Sequence, residues 1–218
     1  MPFWFYSDGG PRVVTITFQA NTAITSSASS HTFTAMAVGT TGIVIVGLGW
    51  QSASPTTLTS LTVGGVTAST LVGVVSAAGG GREMSLQIAS GIAGTTADVV
   101  ITLSGTALNF AAETNSMLGA NLSPAQTASS IASAPTAVMT CLAGGAIIGA
   151  AIGGAGSAPT ATATGIVLDS SFNFGSGNLQ CFGAAHANFT VAQAALTTTI
   201  TFSPIVTAAG AFASFNPS

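Results

Sequence analysis

Runs of β-branched and aromatic residues, each closed by Gly, Pro, Ser or Asn, recur along the whole chain. Val13 to Phe18 (VVTITF) and His31 to Met36 (HTFTAM) alternate at the period of two that a half-buried strand requires. Ile43 to Trp50, IVIVGLGW, is a continuous apolar run of strand length, which predicts a central strand buried on both faces. LTSLTV, Gly64-Gly65 and VTASTLVGVV form a hairpin signal, because paired glycines reach the positive φ values of a tight primed turn. No long stretch places apolar residues at helical spacing among good helix formers. The one exception is short: Pro124 after Ser123 predicts a helical turn over Ser123 to Ser129.

Further strand patterns follow in EMSLQIA, ADVVITLS, FAAETNSMLGA, TAVMTCLA, AIIGAAI, TATATGIVL, NLQCFGAAHANFTV, LTTTITFS and GAFASF. So many strands, with no helices to cover a parallel sheet, predict antiparallel pairing. Stacking two sheets buries their apolar faces. The expected fold is therefore all-β, an antiparallel two-sheet β-sandwich of jelly-roll or Ig-like kind. Residues 1–12 are an N-terminal aromatic arm or an edge strand. Residues 13–218 are a single sandwich domain, with a possible sub-boundary in the polar connection at 121–135, since neither half of the sequence visibly repeats the other.

Only 3% of the 218 residues are charged, against about 25% in an ordinary soluble domain. They are Asp8, Arg12, Arg82, Glu83, Asp98, Glu113 and Asp169. Two Arg and no Lys exclude an electrostatic grip on nucleic acid or a polybasic membrane patch. A chain that is 48% hydrophobic is not a disordered one. Its surface must then be built from Ser, Thr, Gly, Asn and Gln, which costs less to desolvate than a charged surface. That suits burial by neighbours; composition drift in an extracellular protein is the bland alternative. The most apolar segment, Leu142 to Gly156, is shorter than the roughly 20 residues a membrane span needs, so a buried strand is expected, with no membrane insertion. The opening MPFWFYSDGG lacks a basic region and a long apolar stretch, which predicts synthesis in a cytoplasm. Cys141 and Cys181 read as two buried thiols or as one disulfide.

The layout of segments resembles β-sandwich proteins of bacteriophages, prophages and gene-transfer-agent-like particles, which serve as capsid decoration, head-fibre or tail-associated components. The likeness runs from the early alternating strand through IVIVGLGW and the LTVGG hairpin. It continues through MLGANLSP and PTAVMTCLAGGAIIGAAI to the closing AFASFNP, and so spans most of the chain. It implies a virion protein assembled in the bacterial host cytoplasm, a homo-oligomer with a trimer as the suggested symmetry. Other virion proteins, such as the major capsid protein, would be its partners. It transfers no functional residue.

Chemistry is scarce in the pattern. His31 and His186 lack a third metal donor at useful spacing, and Cys181 and His186, five apart on one strand, point to opposite faces. No nucleophile elbow occurs, and GGGRE (Gly79 to Glu83) lacks the Lys and helix of a phosphate loop. The reading is non-enzymatic, with no catalytic, metal or cofactor site. Two candidate contact features remain. Phe3, Trp4, Phe5 and Tyr6 form an arm suited to docking on a neighbour, or a first edge strand folded on the chain's own core. Arg82 and Glu83 form a loop-tip ion pair, local or between subunits, or a solvated tip. The rival function is a carbohydrate-binding or adhesive module, for which Trp50 is the candidate platform, unless it plugs the core.

Overall fold

A computed structural model describes residues 12–77, 81–155, 158–175, 179–204 and 207–218. The aromatic arm Phe3 to Tyr6 lies outside them. Every regular element described is a strand, and every pairing is antiparallel.

The organising element of the first half is β8, Thr96–Leu118. Along one edge it pairs with β1 (Thr15–Ile24) through its second half and with β2 (Ala28–Ala37) through its first. Along the other edge β3 (Ile43–Ser52) and β4 (Leu58–Val63) do the same. Each flanking pair is thus one long strand interrupted at the middle. At Gly64-Gly65, with φ of 56° and 81°, the chain turns from β4 into β5 (Val66–Thr67), and Val63 pairs with Val66. Then β6 (Ser69–Ala77) and β7 (Arg82–Ser90) extend the sheet outward from β3. The eight strands curl around one core, in which Val44, Val46, Leu48 and Trp50 of β3 meet Phe33, Leu61, Val99 and Phe110. Alternation along β3 is strict: Ile45, between those residues, belongs to a different core.

The second half is β9 (Gln126–Ala132), β10 (Thr136–Cys141), β11 (Ala146–Ala155), β12 (Thr160–Thr164), β13 (Val167–Phe174), β14 (Leu179–Asn188), β15 (Gln193–Ser203) and β16 (Thr207–Phe215). It repeats the pairing diagram of the first. β15 and β16 stand where β8 stood; β9 and β10 take one edge, β11 and β12 the other, and β14 and then β13 extend outward from β11. Among the described residues only β5 has no counterpart. These strands form a five-stranded and a three-stranded sheet, with Met139, Ile147, Ile200 and Phe212 between them.

No strand of the first half pairs with one of the second among the described residues; a single bridge, Ala120 to Pro217, crosses. The change of partners falls between the end of β8 at Leu118 and the start of β9 at Gln126, yet the halves share a third core. Ile45, Met84, Leu86 and Met117 of one meet Ile148, Ile152, Phe182 and Phe215 of the other, all wholly or nearly wholly buried. Gly49 makes room for Phe182: a Cβ there would sit 2.9 Å from the ring. The helical turn expected at Ser123 to Ser129 does not form. Its residues lead into β9, whose backbone pairs with β16 and whose Gln126 side chain accepts from the Thr140 amide and donates to the Val138 carbonyl of β10. A strand so supported has no need of helical hydrogen bonds.

Candidate functional site

The most concentrated chemistry lies on the seam between the halves. On the second half of β8, Ala111, Glu113, Asn115 and Met117 alternate toward the shared core, so the strand that buries Met117 must also bury Glu113. Opposite them, β13 carries a bulge between Leu168 and Ser170. The extra residue, Asp169, reverses the alternation, so that Leu168 packs on the outer core while Phe172 and Phe174 face the seam. Ser170 Oγ donates to Glu113 Oε2 at 2.6 Å, and Asn115 Nδ2 donates to Glu113 Oε1 at 2.7 Å. His186 Nδ1 on β14 lies 2.7 Å from Asp169 Oδ2.

Glu113 is 1% exposed. Burial pushes its carboxyl up to about 7, and the charge of Asp169 adds to the rise; the bonds from Ser170 and Asn115 and the charge of His186 oppose it. The Oδ1 of Asn115 is buried with no partner.

These residues do not compose a hydrolytic triad. The Ser170 hydroxyl bonds the Glu113 carboxylate and the imidazole bonds Asp169, so serine and histidine are not joined in a relay. No cluster of three His, Cys, Asp or Glu suited to a metal ion occurs among the described residues.

Arg82 and Glu83 correct the expectation of a loop-tip pair. Both belong to β7, and neighbours on a strand point to opposite faces. Glu83 is wholly buried, accepting from Ser52 Oγ and the Thr56 amide, with burial pushing its carboxyl up against those two bonds. Arg82, half-buried, donates through Nε to Gln180 Oε1 of the other half. Neither the ion pair nor the solvated tip is present. Trp50 is also wholly buried, its Nε1 donating to Thr56 Oγ1 at 2.7 Å, so it is no sugar platform. His31 stacks on Phe110 with its Nε2 buried and unpartnered, and burial lowers its pKa. Cys141 and Cys181 are free and buried, and burial pushes both thiols up.

The charges as a set explain the surface. Asp8 lies outside the described residues. Of the other six, Glu83 and Glu113 are buried, Arg82 and Asp169 half-buried, and only Arg12 and Asp98 exposed. Grooves beside β6 and β7, along β1 and β2, and at Thr40 and Thr41 are lined by hydroxyl, amide and apolar side chains, with no ionisable group. In the sequence Glu113 stands out only as one of seven charges. Its signal was a carboxylate at an inward position between Ala111 and Met117, which predicts a buried acid.

No family model matches the chain, and no curated protein or solved structure is significantly similar to it.

Proposed function

We propose that the protein is a non-enzymatic structural component that works by packing against other protein surfaces. Its setting would be a virion, as capsid decoration, head fibre or tail-associated part. In this reading the strands stack as an antiparallel β-sandwich of jelly-roll or Ig-like kind, with the two halves packed on each other across the shared core. The carrying observation is the outer surface: two exposed ions in the described chain, while Val13, Leu118, Leu142, Val138, Val167 and Val191 are each more than half exposed. Covering such a surface gains apolar burial without stripping water from many charges. Three of these side chains gather at one end. Val13 lies two residues before Thr15, the ladder partner of Leu118, and Leu142 opens the turn whose Gly144 carbonyl accepts from the Val14 amide.

The carbohydrate-binding alternative has less support, since no aromatic ring among the described residues is fully exposed. Mass spectrometry and immunogold labelling of particles purified from the source test the proposal. Stoichiometric presence of the chain on particles is expected. Its absence from every particle, together with retention on a glycan array, would favour the adhesive module.

A further inference from the structure

We propose that Glu113, with Ser170, Asp169 and His186, is a proton-operated clamp between the two halves of the molecule: it holds the seam closed while Glu113 carries a proton and loosens it when the proton leaves.

The first support is a comparison that the molecule makes with itself. Aligning the equivalent ladders at their first pairs, Ile43 to Ser90 and Ala146 to Asn188, sets Gly47 against Ala150. Glu113 pairs with Gly47 and Ala211 pairs with Ala150, so Glu113 corresponds to Ala211 and Asn115 to Ala213. The second half closes the same seam from its own side with alanines. The packing therefore has no need of an acid at this place. His186 corresponds in the same way to Ile88. The polar set is confined to one side of the seam and spans both halves.

The second support is the chemistry of the two protonation states. Protonated, Glu113 can donate through Oε2 to Ser170 Oγ while Oε1 accepts from Asn115, which leaves a neutral, fully bonded group in the apolar core. Ionised, it keeps both acceptor roles, but a buried charge then faces the Asp169 carboxylate. The groups facing it are few. Its ladder neighbours on β1 and β3 are Asn21 and Gly47, the facing strand β11 brings Ile148 and Ala150, and β13 and β14 bring Asp169 and His186. Asp169 favours the proton on Glu113 and a protonated His186 opposes it, with burial outweighing both.

The sign follows. The folded carboxyl titrates near 7, above its ordinary value, so the closed seam holds a proton that the open one releases. The closed state is fully favoured below the ordinary carboxylate range and loses that advantage as pH rises to about 7. The opening constant rises on the order of a hundredfold across that window and levels off above it.

The test is hydrogen–deuterium exchange of the full chain between about pH 5 and pH 8, corrected for intrinsic exchange rates. Amides of the second half of β8 and of β13 in the wild type are expected to lose protection with rising pH. In Glu113→Gln, which keeps both hydrogen-bonding roles without a titrating proton, protection should be independent of pH. A flat wild-type profile, or a pH dependence that survives in Glu113→Gln and disappears in His186→Asn, would overturn the proposal. Should Glu113→Gln fail to fold, infrared titration of the wild type decides: a protonated carboxyl persisting to near neutral pH is expected, and its absence overturns the clamp.

Discussion

Arg82 donates from its Nε to the Oε1 of Gln180, and the two residues occupy equivalent positions in the two halves. Arg82 pairs with Gln51 on β3 and Gln180 with Gly154 on β11, which the ladder alignment superposes. A contact between equivalent positions is what a two-fold related pair of sheets produces where they meet. Gly47 and Ala150 make another, since a Cβ on Gly47 would lie 3.2 Å from the Ala150 methyl. A molecule held together in this way resembles two subunits fused in one chain.

The Arg82 contact predicts a local weakness. A Cβ on Gly154 would collide with the guanidinium, so Gly154→Ala must displace Arg82. Arg82→Ala leaves Gln180 without that donor and is expected to cost about 1–3 kcal/mol. Chemical denaturation measures it. If Arg82→Ala and Gly154→Ala both leave the midpoint unchanged, the contact contributes nothing to the seam.

Phe182 is one of the phenylalanines that the second half places in that seam, wholly buried against Phe172 and seated over Gly47 and Gly49. Phe182→Ala is expected to cost about 3–5 kcal/mol, the usual range for an aromatic deleted from a core. Gly49→Ala should be destabilising too, because its methyl would press on the same ring. Combining the two changes should cost less than the sum, since the truncated ring leaves room for the methyl. Thermal unfolding of both single variants and the double variant checks this coupling.

Ala35 offers a conformational prediction. It lies exposed in β2 at φ 50°, in an irregularity between Phe33 and Met36, and its amide donates to Asp98 Oδ1. Valine ordinarily favours strands, but a β-branched residue is strained at positive φ. Ala35→Val should therefore lose at least about 1 kcal/mol, whereas Thr34→Val, one residue away, should be near neutral. Equal effects at both positions, read from denaturation midpoints, would mean that the irregularity carries no strain.

The parts of this architecture written in large side chains were legible in the sequence. IVIVGLGW announced β3, and Gly64-Gly65 announced the hairpin, because continuous apolar runs and paired glycines have few alternatives. β9 was hidden because QTASSIA is made of small polar residues that suit a loop equally well; its strand character comes from β16 and from Gln126 reaching β10. The full length of β8 was hidden by Ser104-Gly105, which reads as a break although pairing resumes on the far side. Arg82 and Glu83 invited an ion pair by adjacency, and the pleat forbids it. The repeat was invisible because Glu113 and Ala211, or His186 and Ile88, share a ladder position and nothing else. The seam site needed three distant strands and a bulge, so no local pattern could announce it.

Sedimentation velocity of the purified full chain, run over a wide range of concentrations, tests most directly whether the ion-poor surface is made to be covered by protein. The account predicts a self-associated species heavier than the 21.1 kDa chain, lost or weakened when exposed apolar residues such as Leu118 and Leu142 are changed to Asp. A sharp 21.1 kDa monomer at every concentration, unbound to particles when these are added, would contradict it.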